Sequence, residues 1–234
     1  MVGEALAASI AAVRARIDEA AHRSGRSPED VRLMAVTKGF PRETVEAAAA
    51  GGLTLFGENR VQEAEAKYID FTAPHELHLI GHLQRNKARI ASGLFSCVQS
   101  IDKEETAVAL NERCLERGRS MDILLELNTS AEASKSGFHT RDDLLSCLDA
   151  VLRLGRLTVR GLMTVGPLSA DEGEIRRSFS ALRSLFEEIR GRRGLPGFDM
   201  LSMGMSGDFV LAVEEGSTLV RIGTALFGPR GRPA

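Results

Sequence analysis

The sequence predicts an α/β protein, a single-domain (β/α)8 or TIM barrel covering residues 1–234. Three observations carry this expectation. Short apolar runs and amphipathic stretches alternate eight times, the pattern of a parallel sheet covered by helices. The connecting stretches are short, with no linker or low-complexity tract between them. The chain length suits eight such units built around one core. An open doubly wound sheet is the alternative, but a dinucleotide site there calls for GxGxxG after the first strand, and none is present.

The elements follow in order. Leu6, Ile10, Val13 and Ile17 lie on one helical stripe, and Gly25 then Pro28 end that helix. Expected strands are Arg32–Lys38, Leu53–Phe56, Glu76–Ile80, Phe95–Gln99, Asp122–Asn128, Thr158–Thr164, Asp199–Ser202 and Thr218–Ile222. Pro41 opens the helix after the first strand. Asp102 with Glu105, and Ser169 with Glu172, have capping-box spacing, while Gly51 and Gly118 stand where C-terminal caps belong. The sequence leaves little for an eighth helix after the last strand, so the N-terminal helix is expected to cover that side.

Composition excludes several classes. A formal charge of −2 gives no general attraction to nucleic acid or anionic membrane. Trp is absent and Tyr occurs once, which argues against a base-stacking surface. No apolar run approaches the roughly 18 residues of a membrane span. Glu4, Arg14 and Arg16 do not fit a signal peptide, so a cytoplasmic protein is expected. Cys97, Cys114 and Cys147 lack CxxC spacing and read as free thiols, with no metal site expected.

Function in such a barrel gathers at the C-terminal ends of the strands. Lys38 ends strand one. Desolvation there would lower its pKa and favour attack on a carbonyl, although a solvated rim lysine is the plainer reading. Asn59 follows strand two, as a polar ligand or as a helix cap. His82, after Gly81, is an acid–base or stacking candidate, or a structural histidine. Lys135 lies in the small, polar stretch after strand five, the composition of an active-site loop or of plain surface. Met163 reads as core or pocket wall. Gly204, Ser206 and Gly207 precede a helical pattern after strand seven, and Gly223 and Thr224 follow strand eight. Both loops can offer N–H groups to a phosphate, at the strands where barrels favour it. Met203, in the same stretch as Ser206, is a secondary candidate. Arg221 within strand eight needs a ligand acceptor or a structural partner.

Strands one and eight become neighbours when the barrel closes. An aldehyde with a phosphate at its far end would span Lys38 and the cradle, and pyridoxal 5′-phosphate (PLP) is such a molecule. Arg221 would then face the pyridine nitrogen and keep it unprotonated, which weakens the ring as an electron sink.

The stretches AVTKGFP, FGENRVQEAEAK, HLIGHLQRNK, SKSGF, GLMTVG, LSMGMSGDF and STLVRIGTALFG, in this order along the chain, resemble the YggS/PROSC-type pyridoxal phosphate homeostasis proteins. The resemblance implies a barrel of the alanine-racemase N-terminal type (fold type III PLP) with PLP on Lys38 as a Schiff base. It implies Arg221 as the pyridine-nitrogen partner, Ser206, Gly223 and Thr224 as the phosphate cradle, and Asn59 near the ring. Lys135 matches a family lysine tied to receipt or release of PLP. The sequence departs locally, reading TKGFP where the family often has SKTKP, which changes neighbours of the lysine and not the lysine itself.

The family has no settled catalytic activity, so the resemblance implies a PLP carrier or buffer in homeostasis, without strong turnover. Expected partners are PLP and apo PLP enzymes, with no nucleic acid, no membrane and a monomeric chain. A racemase-like PLP enzyme is the alternative. The chain lacks room for the racemases' second domain, and Tyr68 is expected on an outer helix. A third reading is a cofactor-free aldolase using Lys38 on a sugar phosphate.

Overall fold

The computed structural model describes residues 2–130, 132 and 135–229. Its strands are β1 (Arg32–Val36), β2 (Leu55–Glu58), β3 (Glu76–Leu79), β4 (Cys97–Ile101), β5 (Met121–Glu126), β6 (Leu157–Met163), β7 (Met200–Met205) and β8 (Leu219–Ile222). They pair in parallel in sequence order and close into a barrel through β1 and β8, with Met34 opposite Arg221 and Ala35 opposite Ile222. The helices are α1 (Val2–Arg23), α2 (Arg42–Ala50), α3 (Val61–Tyr68), α4 (Ala88–Leu94), α5 (Glu104–Glu116), α6 (Arg141–Val151), α7 (Glu172–Arg193), α8 (Phe209–Glu214) and α9 (Thr224–Phe227). The expected fold stands. The short α9 leaves a gap, and α1 packs against α8 and α9 to close it.

All eight strands occur where expected, with shifted ends. Leu53 is not in β2, because its N–H donates to Ala48 O and completes the C-terminal cap of α2 after Gly51 and Gly52. Phe95 caps α4, which moves the start of β4 to Cys97. Pro41 is the cap residue before α2 rather than its first residue. Neither capping box forms: Lys103 precedes α5 without a side-chain cap, and Asp171, not Ser169, caps α7.

Strand alternation sorts the side chains into two layers. Outward residues such as Ala35, Phe56, Leu77, Val98, Ile123, Leu162, Leu201 and Val220 join the main core beneath the helices. Inside the barrel lie two separate apolar clusters. One comprises Met34, Val36, Leu55 and Leu219, and the other Cys97, Leu124, Met163 and Met200. The barrel interior also holds His78, Gln99, Ser202 and Arg221, all buried.

Candidate functional site at the barrel mouth

Lys38 stands in a turn just past β1. Phe40 N donates to Thr37 O at 3.1 Å, and Gly39 has φ 72°, the combination of a type II turn. Glycine is needed there because the second central position of that turn has positive φ. Thr37 faces the helices, where its hydroxyl donates to Glu58 Oε1 at 2.7 Å and meets the Tyr68 hydroxyl at 3.1 Å. Lys38 itself is half-buried at this end of the barrel.

A buried ion network grips the residues on either side of Lys38. Lys67 Nζ donates to Thr37 O at 2.6 Å, to Glu58 Oε1 at 2.8 Å and to Glu63 Oε1 at 2.6 Å. That satisfies all three donors of the ammonium. Glu63 Oε1 also accepts from Gly39 N at 2.5 Å. Burial pushes the Glu58 carboxyl upward, and Lys67 pulls it back. Glu58 Oε2 is buried without a hydrogen-bond partner. None of these supporting residues was foreseen. The sequence signal available was the i,i+4 spacing of Glu63 and Lys67.

The β7 and β8 loops meet beside this turn. Ser206 Oγ accepts from Gly223 N and from Ala225 N, both at 3.2 Å. A hydroxyl oxygen thus sits where two backbone donors converge, as a phosphate oxygen would. A Cβ on Gly223 would lie 3.4 Å from Val36 O, so the cradle abuts the strand that leads to Lys38. Phe40 and Phe227 pack rings at 5.2 Å and join the turn after β1 to α9 after β8. The helix after β7 contributes less than expected. Asp208 precedes α8, and its carboxylate accepts from Met205 N at 2.5 Å, placing an acid where a dianion would be repelled. Thr224 opens α9 and is exposed.

Arg221 is 4% exposed. Its Nη1 donates to Ser202 Oγ and its Nη2 to Thr164 O, each at 2.7 Å, so two anchors fix the guanidinium plane. Burial lowers its pKa to about 10, opposed by Glu126 and Asp208, and it remains a cation at neutral pH. Glu126 is inward-facing at the end of β5 and was also not foreseen. Burial and the nearby Asp102 raise its carboxyl to about 7, against the pull of Arg221.

The remaining expected residues make no contact with the cradle among the hydrogen bonds described. Asn59 follows β2 in a bend, half-buried, and makes no cap, since Arg60 precedes α3 without a side-chain cap bond. A Cβ on Gly81 would lie 2.3 Å from Asn59 O, so glycine alone lets the β3 loop approach Asn59 this closely. His82 and Lys135 line a pocket of about 640 Å³ over β3 to β5 whose lining includes none of the cradle residues. His82 Nδ1 is 3.4 Å from Asp102 Oδ2, and Lys135 Nζ donates to Gly166 O at 2.9 Å and pairs with Glu132 at 2.7 Å. Residues 131, 133 and 134 of that loop lie outside the described residues. Met203 is corrected to a core residue: it alternates outward from Ser202 into the helix-side layer and is fully buried. Among the described residues no metal-binding group of His, Cys, Asp and Glu occurs, and no helix is long and apolar enough to cross a membrane.

The alanine racemase N-terminal domain family matches residues 8–231. A pyridoxal phosphate homeostasis protein of Pseudomonas aeruginosa is 42% identical over 232 residues, 98% of both chains. The solved structure of PipY from Synechococcus elongatus with PLP bound is 34% identical, with a TM-score of 0.81, covering 95% of this chain and 100% of that one. A histidine racemase from Leuconostoc mesenteroides, at 20% identity and a TM-score of 0.72, covers 98% of this chain and 58% of its own. It shares the fold.

Proposed function

Because the chain belongs to the pyridoxal phosphate homeostasis protein family, whose barrel is that of the alanine racemase N-terminal domain, we propose that it binds PLP and acts as an intracellular carrier or buffer of it. Lys38 would hold PLP covalently, its amine being the group that can condense with the aldehyde to a Schiff base with loss of water. Gly223 N, Ala225 N, Ser206 and the neighbouring Thr224 receive the phosphate. Arg221 would serve the pyridine nitrogen as a donor, and Asn59 would stand near the ring. Bound PLP supplies a reactive aldehyde and a ring that draws electrons from what is joined to it. An arginine partner keeps the nitrogen neutral and restrains the second property.

The observation that carries the reading is the Ser206 oxygen held by two backbone N–H groups next to the β1 end that bears Lys38. The residues fit the cofactor: an amine, a donor nest and an anchored cation border one mouth. A carrier without strong turnover follows from what lies around them. Racemisation needs proton-transfer groups on both faces of the bound amino acid. Tyr68, the chain's only tyrosine, is engaged with Thr37 in the helix layer, and burial raises its pKa. One feature favours a second reading, a racemase-like enzyme of weak activity: Glu126, titrating near 7 within reach of the Arg221 charge.

The two readings separate in one experiment. PLP-loaded protein is mixed with single-handed amino acids and, separately, with an apo PLP enzyme. The expected outcome is activation of the apo enzyme with no racemisation. Racemisation at about 1 per second or faster, lost in Lys38→Ala, overturns the carrier reading.

A further inference from the structure

A polar file crosses the barrel interior between the two apolar clusters. Ser202 Oγ accepts from Arg221 Nη1 at 2.7 Å and donates to Gln99 Oε1 at 2.7 Å. Gln99 Nε2 meets His78 Nδ1 at 2.9 Å. His78 Nε2 lies 3.6 Å from Glu76 Oε2, longer than a hydrogen bond, with its N–H side facing the carboxylate, and Glu76 Oε1 pairs with Arg32 at 2.8 Å. The file thus links a guanidinium at the mouth to a half-exposed carboxylate at the opposite end of the barrel, through Ser202, Gln99 and His78, none more than 1% exposed.

Its direction is dictated from one end. Arginine has donors only, so Ser202 must accept from it and spend its own proton on Gln99 Oε1. That orients the amide and turns Gln99 Nε2 toward His78. His78 Nδ1 must then accept, which places the ring proton on Nε2, facing Glu76. A protonated His78 would set two donors against each other at Gln99. Burial, by lowering the His78 pKa, acts in the same direction. Barrel interiors are ordinarily filled by branched apolar side chains. Four buried polar groups cost desolvation unless every link is made, and a fully made network fixes geometry.

We propose that Ser202, Gln99 and His78 are positioning residues for Arg221, holding its guanidinium in the plane from which it donates to the PLP pyridine nitrogen, with Glu76 as the anchoring anion. The proposal rests on the PLP reading above. It goes beyond it by assigning a ligand-tuning role to residues that do not touch the ligand.

The test compares PLP-loaded wild type with Gln99→Leu, Gln99→Glu, Ser202→Ala and Arg221→Lys, recording the visible absorbance maximum of bound PLP, its rate of loss on dilution, and the thermal unfolding midpoint. Gln99→Glu keeps the acceptor for Ser202 and is expected to preserve the wild-type maximum. Gln99→Leu and Ser202→Ala are expected to move the maximum toward that of Arg221→Lys and to release PLP about tenfold faster, the scale of one lost hydrogen bond to a charge. A packing role alone predicts the reverse order, because leucine fills the volume while glutamate buries a charge, and that order overturns the proposal. A maximum moved by Arg221→Lys but by neither Gln99→Leu nor Ser202→Ala refutes the file and leaves the PLP reading standing. If Arg221→Lys also leaves it unmoved, Arg221 is not the pyridine partner, and the positioning proposal falls together with that one assignment while PLP binding itself stands. Should Gln99→Leu not fold, Ser202→Ala decides, since it removes the same link with a smaller change in volume.

Discussion

Lys38 is held in place by its neighbours in sequence. Thr37 and Gly39 are tied to Lys67 and Glu63. The backbone on both sides of the amine is therefore anchored to α3, which lies one helix and one strand further along the sequence. Glu126 faces the same mouth, and its titration gives a residue-scale prediction. Its pKa is about 7 in the fold against 4.5 for a free glutamate, so the folded chain keeps a proton that the unfolded chain gives up between those values. The stability it contributes is full below pH 4.5 and is lost as pH rises through 7. Glu126→Gln is expected to remove this loss, leaving the variant more stable than wild type above pH 7, by at most about 3 kcal/mol. Unfolding midpoints measured by circular dichroism from pH 5 to 8 check it. A constant gap between the two proteins across that range contradicts the assignment. Which residues gather at the C-terminal strand ends was legible in the sequence, because the eight alternations fix where each strand stops. The supporting groups were not. Glu58, Lys67 and Gln99 become partners of Thr37 and Ser202 only through contacts between elements, and local spacing announces no more than the Glu63–Lys67 pair.

The loops after β7 and β8 work as one unit at the next scale. Gly204 has φ 95°, and a Cβ there would come within 2.5 Å of the Ala212 Cβ, so glycine lets α8 fold back closely on β7. That close return carries Ser206 to the first turn of α9. Ser206→Ala is expected to weaken retention of PLP about tenfold while leaving pyridoxal, which has no phosphate, nearly unaffected. Equal losses for both ligands, measured by equilibrium dialysis, would count against the cradle. The sequence reading named both loops as two halves of one cradle, and the structure brings Ser206 of one against Gly223 and Ala225 of the other. The start of α8 carries Asp208, which the Gly-Ser pattern did not reveal as an acidic neighbour, and the N–H groups that meet Ser206 Oγ are those of Gly223 and Ala225 at the start of α9. Asp102 was misjudged for a related reason. β4 runs through Ile101, which leaves Asp102 at the mouth, beside His82, instead of at the cap of α5.

The whole barrel brings distant sequence together through one closure, the pairing of β1 with β8. That pairing was readable from eight alternations and a chain of this length, because a parallel sheet with short connections has few ways to end. The interior was less readable. A period of two marks which residues point inward, but polar ones among them look like errors until their partners across the barrel are known. Closure is also what sets Lys38 beside the cradle, so the central claim is about the chemistry of that single amine. Borohydride reduction of the PLP-loaded protein, followed by peptide mapping, tests it most directly. The account predicts a stable pyridoxyl label on the peptide containing Lys38, absent in Lys38→Ala although that variant still folds. A label on Lys135 or another lysine in the wild type, or undiminished labelling in Lys38→Ala, would contradict it.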